Sequence, residues 1–246
     1  MKKNLATILV TLLAVVAAAS VTAQKKDEKP WTDWSKKDAE KILSDSPWAK
    51  VQTDTDTSQM FYSPTQDPQR MGRTSNDGSR LAQGATNQAV NVAFQVRFFS
   101  ARPVRQALAR IMEINNKPPA DVVAKLHQFA ELQSTNSIIV TVTFDSNDQR
   151  YTGVVIQQFN SAATGSLKND AYLQRSDGKQ LFLEEYVPPG KDGFGARFIF
   201  LREVDGEPFI KDPNGELRFY AKYPNGIKID RRFKLADMMY QGQLEL

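Results

Sequence analysis

From position 89 onward, turn residues cut the chain into short runs about 8–12 residues apart, and the runs are rich in β-branched and aromatic side chains. In the clearest of them Val90, Val92, Phe94, Val96 and Phe98 alternate with Asn91, Ala93, Gln95, Arg97 and Phe99, the period-two pattern of a strand with one apolar face. Further runs cover residues 138–144, 153–159, 171–175, 180–186, 196–202, 216–222 and 227–233. Asp177-Gly178, Asp205-Gly206 and the Pro224 to Gly226 segment stand between neighbouring runs as hairpin turns. Strands of this kind must bury one face each, so the expected fold is α+β and mainly β, an antiparallel β-sandwich.

One insertion interrupts the strands. Ser100 is placed to cap a helix carrying Val104, Leu108 and Ile111 on one face, Asn115 to Pro119 break it, and a second helix is expected over residues 120–133. Ahead of the core, Ser35 and Asp38 have the spacing of a capping box for an N-terminal helix that ends near Ser46-Pro47. Residues 51–88 turn to Thr, Ser, Gln, Asp, Asn, Gly and Pro, and are expected to be a polar loop or linker. Residues 24–50 then form a leader and a Trp-rich helix, and residues 89–246 the β-rich domain.

Residues 1–23 have the form of a secretory signal peptide. Lys2 and Lys3 precede an apolar run of 15 residues, and Val21-Thr22-Ala23 supplies small residues for cleavage before Gln24. That run falls short of the roughly 20 residues a spanning helix needs. The expected location is therefore the periplasm or the exterior. Removing Lys2 and Lys3 from 32 basic side chains leaves 30 against 28 acidic ones, a balance that argues against a nucleic-acid partner.

The chain has no cysteine, which excludes thiol catalysis, thiolate metal sites and haem attachment. With His127 as its one histidine, neither a zinc site nor a Ser-His-Asp triad is expected, and no G-x-S-x-G turn is present. No metal and no cofactor are expected.

Three segments resemble a family of uncharacterised exported bacterial proteins. Residues 34–49 carry W-S-x-x-D-A-x-x-I-L-x-x-S-P-W-A, residues 96–107 are similar to a second shared block, and residues 233–246 to the family's closing segment. The resemblance implies export and a shared fold, and it implies no catalytic residue.

Five side chains are candidates for ligand or partner binding. Trp31, Trp34 and Trp48 either anchor the N-terminal helix or form an aromatic clamp. Arg102 and Arg105 share a face near a helix start, where an anion would be favoured, unless they pair with carboxylates such as Glu113 or Glu131. Glu184 and Glu185 are adjacent in one expected strand and would face opposite ways, so no carboxylate pair for glycoside hydrolysis stands out.

The expected function is that of an exported, non-catalytic binding or interaction module for an envelope protein or an extracellular ligand. A His-independent secreted hydrolase acting on glycans through carboxylates is the alternative. The alternation of Met238, Tyr240, Gly242, Leu244 and Leu246 adds a small outer-membrane β-barrel as a second alternative.

Overall fold

The computed structural model describes residues 29–56, 90–133, 136–224 and 226–246. The expected signal peptide and most of the expected polar linker lie outside the described residues. Among those described, the chain is α+β with five α-helices and antiparallel strand pairing throughout.

One sheet has five strands in the order β1 (Ala49–Asp56), β2 (Val90–Phe98), β3 (Ser137–Ser146), β7 (Ala196–Leu201) and β6 (Glu185–Val187). The second has four, in the order β11 (Lys228–Lys234), β10 (Glu216–Lys222), β4 (Ala171–Arg175) and β5 (Gln180–Phe182). Their inward faces feed one apolar cluster. Phe98 meets Phe233 at 4.8 Å, and Phe198 meets Phe219 at 5.1 Å, both edge to face between the two sheets. Each fully buried phenylalanine contributes on the order of 1.5–3 kcal/mol.

The sheets are also joined at both margins. On one side the chain passes directly between them: the Leu183 N–H donates to Ala171 O at 3.0 Å, and the next residue, Glu184, donates to Ile199 O at 2.9 Å. On the other, the Gln52 amide donates to Lys228 O at 2.7 Å and accepts from the Asp230 N–H at 2.8 Å, satisfying the open edge of β11 as a neighbouring strand would.

The five helices are one N-terminal helix and two consecutive pairs. Helix α1 (Lys36–Ser44) carries the expected capping box: Ser35 Oγ accepts from the Asp38 N–H at 3.2 Å and Asp38 accepts from the Ser35 N–H at 2.9 Å. Its C-terminal carbonyls are tied to β2, with Arg97 Nε on Leu43 O at 2.6 Å and the Gln95 amide on Ser44 O at 3.0 Å. The expected insertion is formed by α2 (Arg102–Asn116) and α3 (Ala120–Glu131), between β2 and β3.

Several expectations are corrected. Residues 153–159 are no strand: they lie in α4 (Gln149–Ser161), followed by the short α5 (Thr164–Leu167). Val155, Phe159 and Ala162 are buried at helical spacing, while Val154 and Ile156 are 54% and 45% exposed, so the apolar run has a period of 3.6 rather than two. The polar stretch after Trp48 begins as a strand, because β1 is an edge strand whose Val51, Thr53 and Thr55 face outward and need no apolar alternation. The run 180–186 is two strands in two sheets, and with the change of sheet Glu184 and Glu185 are both exposed rather than opposed. Helix α2 is capped by Ala101, and Ser100 Oγ instead accepts from the Ile139 N–H at 2.9 Å. The alternating terminal run folds as a hairpin of β12 (Met239–Tyr240) and β13 (Gln243–Leu244), turned by positive φ at Gln241 and Gly242.

Candidate functional site

The five residues selected from sequence fall along one internal seam, where the helices meet the C-terminal hairpin. Trp48 Nε1 donates to Glu245 O at 3.0 Å, and its ring meets Tyr240 edge-on at 6.1 Å. The Glu245 carboxylate accepts from the Arg102 N–H at 3.0 Å and lies 3.2 Å from Arg102 Nε, while the guanidinium sits 5.3 Å over the Tyr240 ring. Tyr240 OH donates to the Gln106 amide at 2.9 Å, that amide donates to Glu131 at 3.0 Å, and Trp31 Nε1 donates to the same carboxylate oxygen at 2.7 Å. Trp34 is half-buried, with Nε1 on Lys29 O at 3.1 Å.

Arg105 is buried and donates to the carbonyls of Ser100, Leu132 and, at 3.2 Å, Phe129. The expected partners Glu113 and Glu131 thus give way to Glu245 for Arg102 and to backbone carbonyls for Arg105. Glu113 is instead taken by Arg110 at 3.1 Å and by His127 at 2.7 Å. Segments 34–49, 96–107 and 233–246 converge on this seam. Most of its polar groups are paired with one another, so among the described residues the seam is built as a joint between the helices and the C-terminal hairpin.

An open polar surface lies elsewhere, on the outward face of the four-stranded sheet. Register places Phe182, Tyr172, Tyr220 and Asp230 in one row across β5, β4, β10 and β11. A second row holds Gln180, Gln174, Arg218 and Arg232. Tyr172 and Tyr220 stack at 4.9 Å and 18°, and Phe182 stands at 69° to Tyr172 at 6.0 Å. Arg218 and Lys228 cover Tyr220, at 5.1 and 5.5 Å from its ring centroid.

A groove of about 190 Å³ opens beside the second row, lined by Gln174, Arg175, Ser176, Glu216, Arg218 and Arg232 among others. A cleft of about 280 Å³ shares Arg175, Ser176 and Glu216 with it and extends to Asp212 and Asn214. The hairpin turn 176–179 positions this end of the surface: Arg175 and Lys179 close it, and Ser176 Oγ accepts from the Glu216 N–H at 3.0 Å.

Every cation bordering this groove has a carboxylate partner. Arg218 forks onto Asp230 at 2.7 and 2.6 Å and donates to Gln174 Oε1 at 3.1 Å. Arg175 holds Asp177, and Arg232 Nη1 lies 3.6 Å from Glu216. The hydrogen bonds from Arg218 hold the Asp230 carboxyl below its ordinary pKa, and those from Arg175 do the same for Asp177. Asp230 therefore contributes stability above the ordinary carboxylate range, and that contribution is lost as pH falls through its lowered value. In Arg218→Gln the Asp230 carboxyl should rise back toward its ordinary value and the low-pH loss of stability should shrink. A carboxyl-carbon NMR titration of the two proteins checks this, and an unchanged Asp230 midpoint would refute the assignment.

No family model, no curated protein and no solved structure matches the chain. Glycosidic cleavage needs one carboxyl kept protonated opposite an ionised one. Among the described residues, the carboxyls displaced from their ordinary pKa (Asp38, Asp177 and Asp230) all move downward. The buried phenols are equally unsuited as bases at neutral pH: burial pushes Tyr186 up to about 12 and raises Tyr223 well above its ordinary value. Among the described residues no cluster of three or more His, Cys, Asp or Glu could hold a metal ion.

Neither residue type nor motif marks Tyr172, Gln174, Phe182 or Arg218 in the sequence. Their outward positions were legible from strand alternation. What was missing was the pairing of β4 with β10 across more than 40 intervening residues, which alone brings the rings into one row.

Proposed function

We propose that this chain is an exported, non-catalytic binding module of the bacterial cell envelope, and that it engages its ligand on the outward face of the four-stranded sheet. One observation carries the binding reading: an exposed aromatic and amide face runs into a groove and a cleft while its charges are already paired internally. Paired charges leave the chemistry of a reaction unsupplied but hold the surface side chains in fixed positions, as recognition requires. The charged, apolar and small-residue order of positions 1–23 supports export.

Native mass spectrometry on the chain isolated gently from its own host tests both parts. The expected species begins at Gln24 and carries a reproducible added mass that Phe182→Ala releases. A chain that keeps residues 1–23 would refute export. A bare wild-type chain that turns over a substrate would refute the binding reading.

A further inference from the structure

We infer that the ligand of this face is a neutral oligosaccharide, with one sugar ring seated on Phe182 and its hydroxyls held by the Gln180 and Gln174 amides. The inference rests on the binding-face reading above and adds the class of ligand. Charge selects that class first. A polyanion would have to displace Asp230 from the Arg218 fork, and a cationic ligand would have to displace Arg218 from Asp230. A neutral polyol displaces no ion and finds the groups already oriented.

Hydrogen-bonding capacity selects it second. An amide offers a donor and an acceptor on one plane, as vicinal hydroxyls do. Gln180 makes no side-chain hydrogen bond among the described residues. Gln174 has its oxygen fixed by Arg218, while its nitrogen has only a long contact of 3.4 Å to Gly178 O. That amide nitrogen is thus aimed and nearly unspent.

The rings select it third. Phe182 is 46% exposed and is the one aromatic side chain in the exposed class among the described residues. Tyr172 and Tyr220 stack on each other in the same row. Gln180 lies two residues from Phe182 on β5, about 7 Å along the strand, and Gln174 lies on the adjacent strand about 5 Å away. A sugar ring resting its C–H face on Phe182 therefore has its hydroxyls within reach of both amides, and the groove beyond Gln174 admits the next unit.

Calorimetric titration of the mature chain with chitohexaose, cellohexaose and xylohexaose, beside an oligogalacturonate as the anionic counterpart, tests this. At least one neutral hexasaccharide should bind with a dissociation constant in the micromolar to low millimolar range. Affinity should fall about tenfold or more in Phe182→Ala and about threefold or more in Gln174→Ala. Affinity should also be unchanged between about 50 and about 500 mM salt. Both side chains are at the surface, so unchanged circular dichroism and melting temperature accompany the loss. Absence of binding by every neutral probe at about 5 mM, or binding indifferent to Phe182→Ala, overturns the inference. If instead a peptide or an anionic ligand binds in a Phe182-dependent way, the sugar class fails while the face stands as a binding site. If no ligand of any class depends on Phe182, both readings fall together.

Discussion

Gly195→Ala is expected to cost the fold about 4 kcal/mol or more, or to prevent it from forming. A Cβ at Gly195 would lie 2.2 Å from Val142 O, 2.8 Å from Val142 C and 2.7 Å from Thr143 Cγ2, and φ there is +80°. Two of those atoms are backbone in β3, the middle strand of the five-stranded sheet, and cannot swing aside as a side-chain tip would. Gly195 also immediately precedes β7, whose Ala196 pairs with Val142, so relief of the clash requires prying β7 from β3. Gly206 provides the control. Its φ of +76° is nearly the same, yet a Cβ there meets nothing within 4 Å. Gly206→Ala should therefore cost only the left-handed penalty of about 1–2 kcal/mol. Urea midpoints for the two variants separate steric exclusion from conformational strain. Equal and small losses would show that close approach to β3 does not matter.

That contrast marks where sequence reading succeeds and where it stops. Gly206 follows Asp205 in the two-residue turn between β8 (Glu203–Val204) and β9 (Glu207–Pro208), a local pattern that the dipeptide announces, and both residues have positive φ. Gly195 looks like part of a flexible glycine-rich connection with Gly190 and Gly193, because the atoms that exclude a side chain there belong to a strand some 50 residues earlier. The same division runs through the whole chain. The capping box of α1, the alternation of β2 and the helical insertion are short-range patterns, and each formed as expected. The segment 153–159 failed because a short apolar run has no period of its own until one face is buried, and burial of Val155 and Phe159 is decided by the sheets around them. The internal partners of the candidate residues were hidden for a related reason. Tryptophans and arginines draw attention by type, but a residue able to bind strongly is also able to satisfy its own fold, and Trp31, Trp48, Arg102 and Arg105 are spent that way.

Arg105 shows how much such internal use is worth, and Arg105→Met should destabilise the chain by about 3 kcal/mol. Its guanidinium donates to Phe129 O in the last turn of α3, to Leu132 O just beyond it, and to Ser100 O at the entry to α2. Carbonyls at a helix C-terminus have no partner within the helix and carry the negative end of its dipole, so one planar cation satisfies three acceptors and fixes the ends of two helices together. Burial lowers the pKa of this arginine, with Glu245 opposing, Arg102 adding to the shift and Glu131 opposing; an arginine starts so high that the group is charged at neutral pH. Methionine keeps most of the side-chain length but donates nothing. Each lost charge-assisted bond costs about 1.5–3 kcal/mol before water and relaxation recover part of it. Lysine would restore the charge without the planar fork and should recover less than half of the loss. Arg232→Met is the surface counterpart: its 3.6 Å pair with Glu216 is exposed on both sides, and removing it should change stability by less than about 0.5 kcal/mol. Hydrogen exchange locates the effect as well as its size. In Arg105→Met the amides at the C-terminal end of α3 should lose protection ahead of those in β3 and β7. Uniform loss across the domain would mean that Arg105 supports the core generally and does not cap α3.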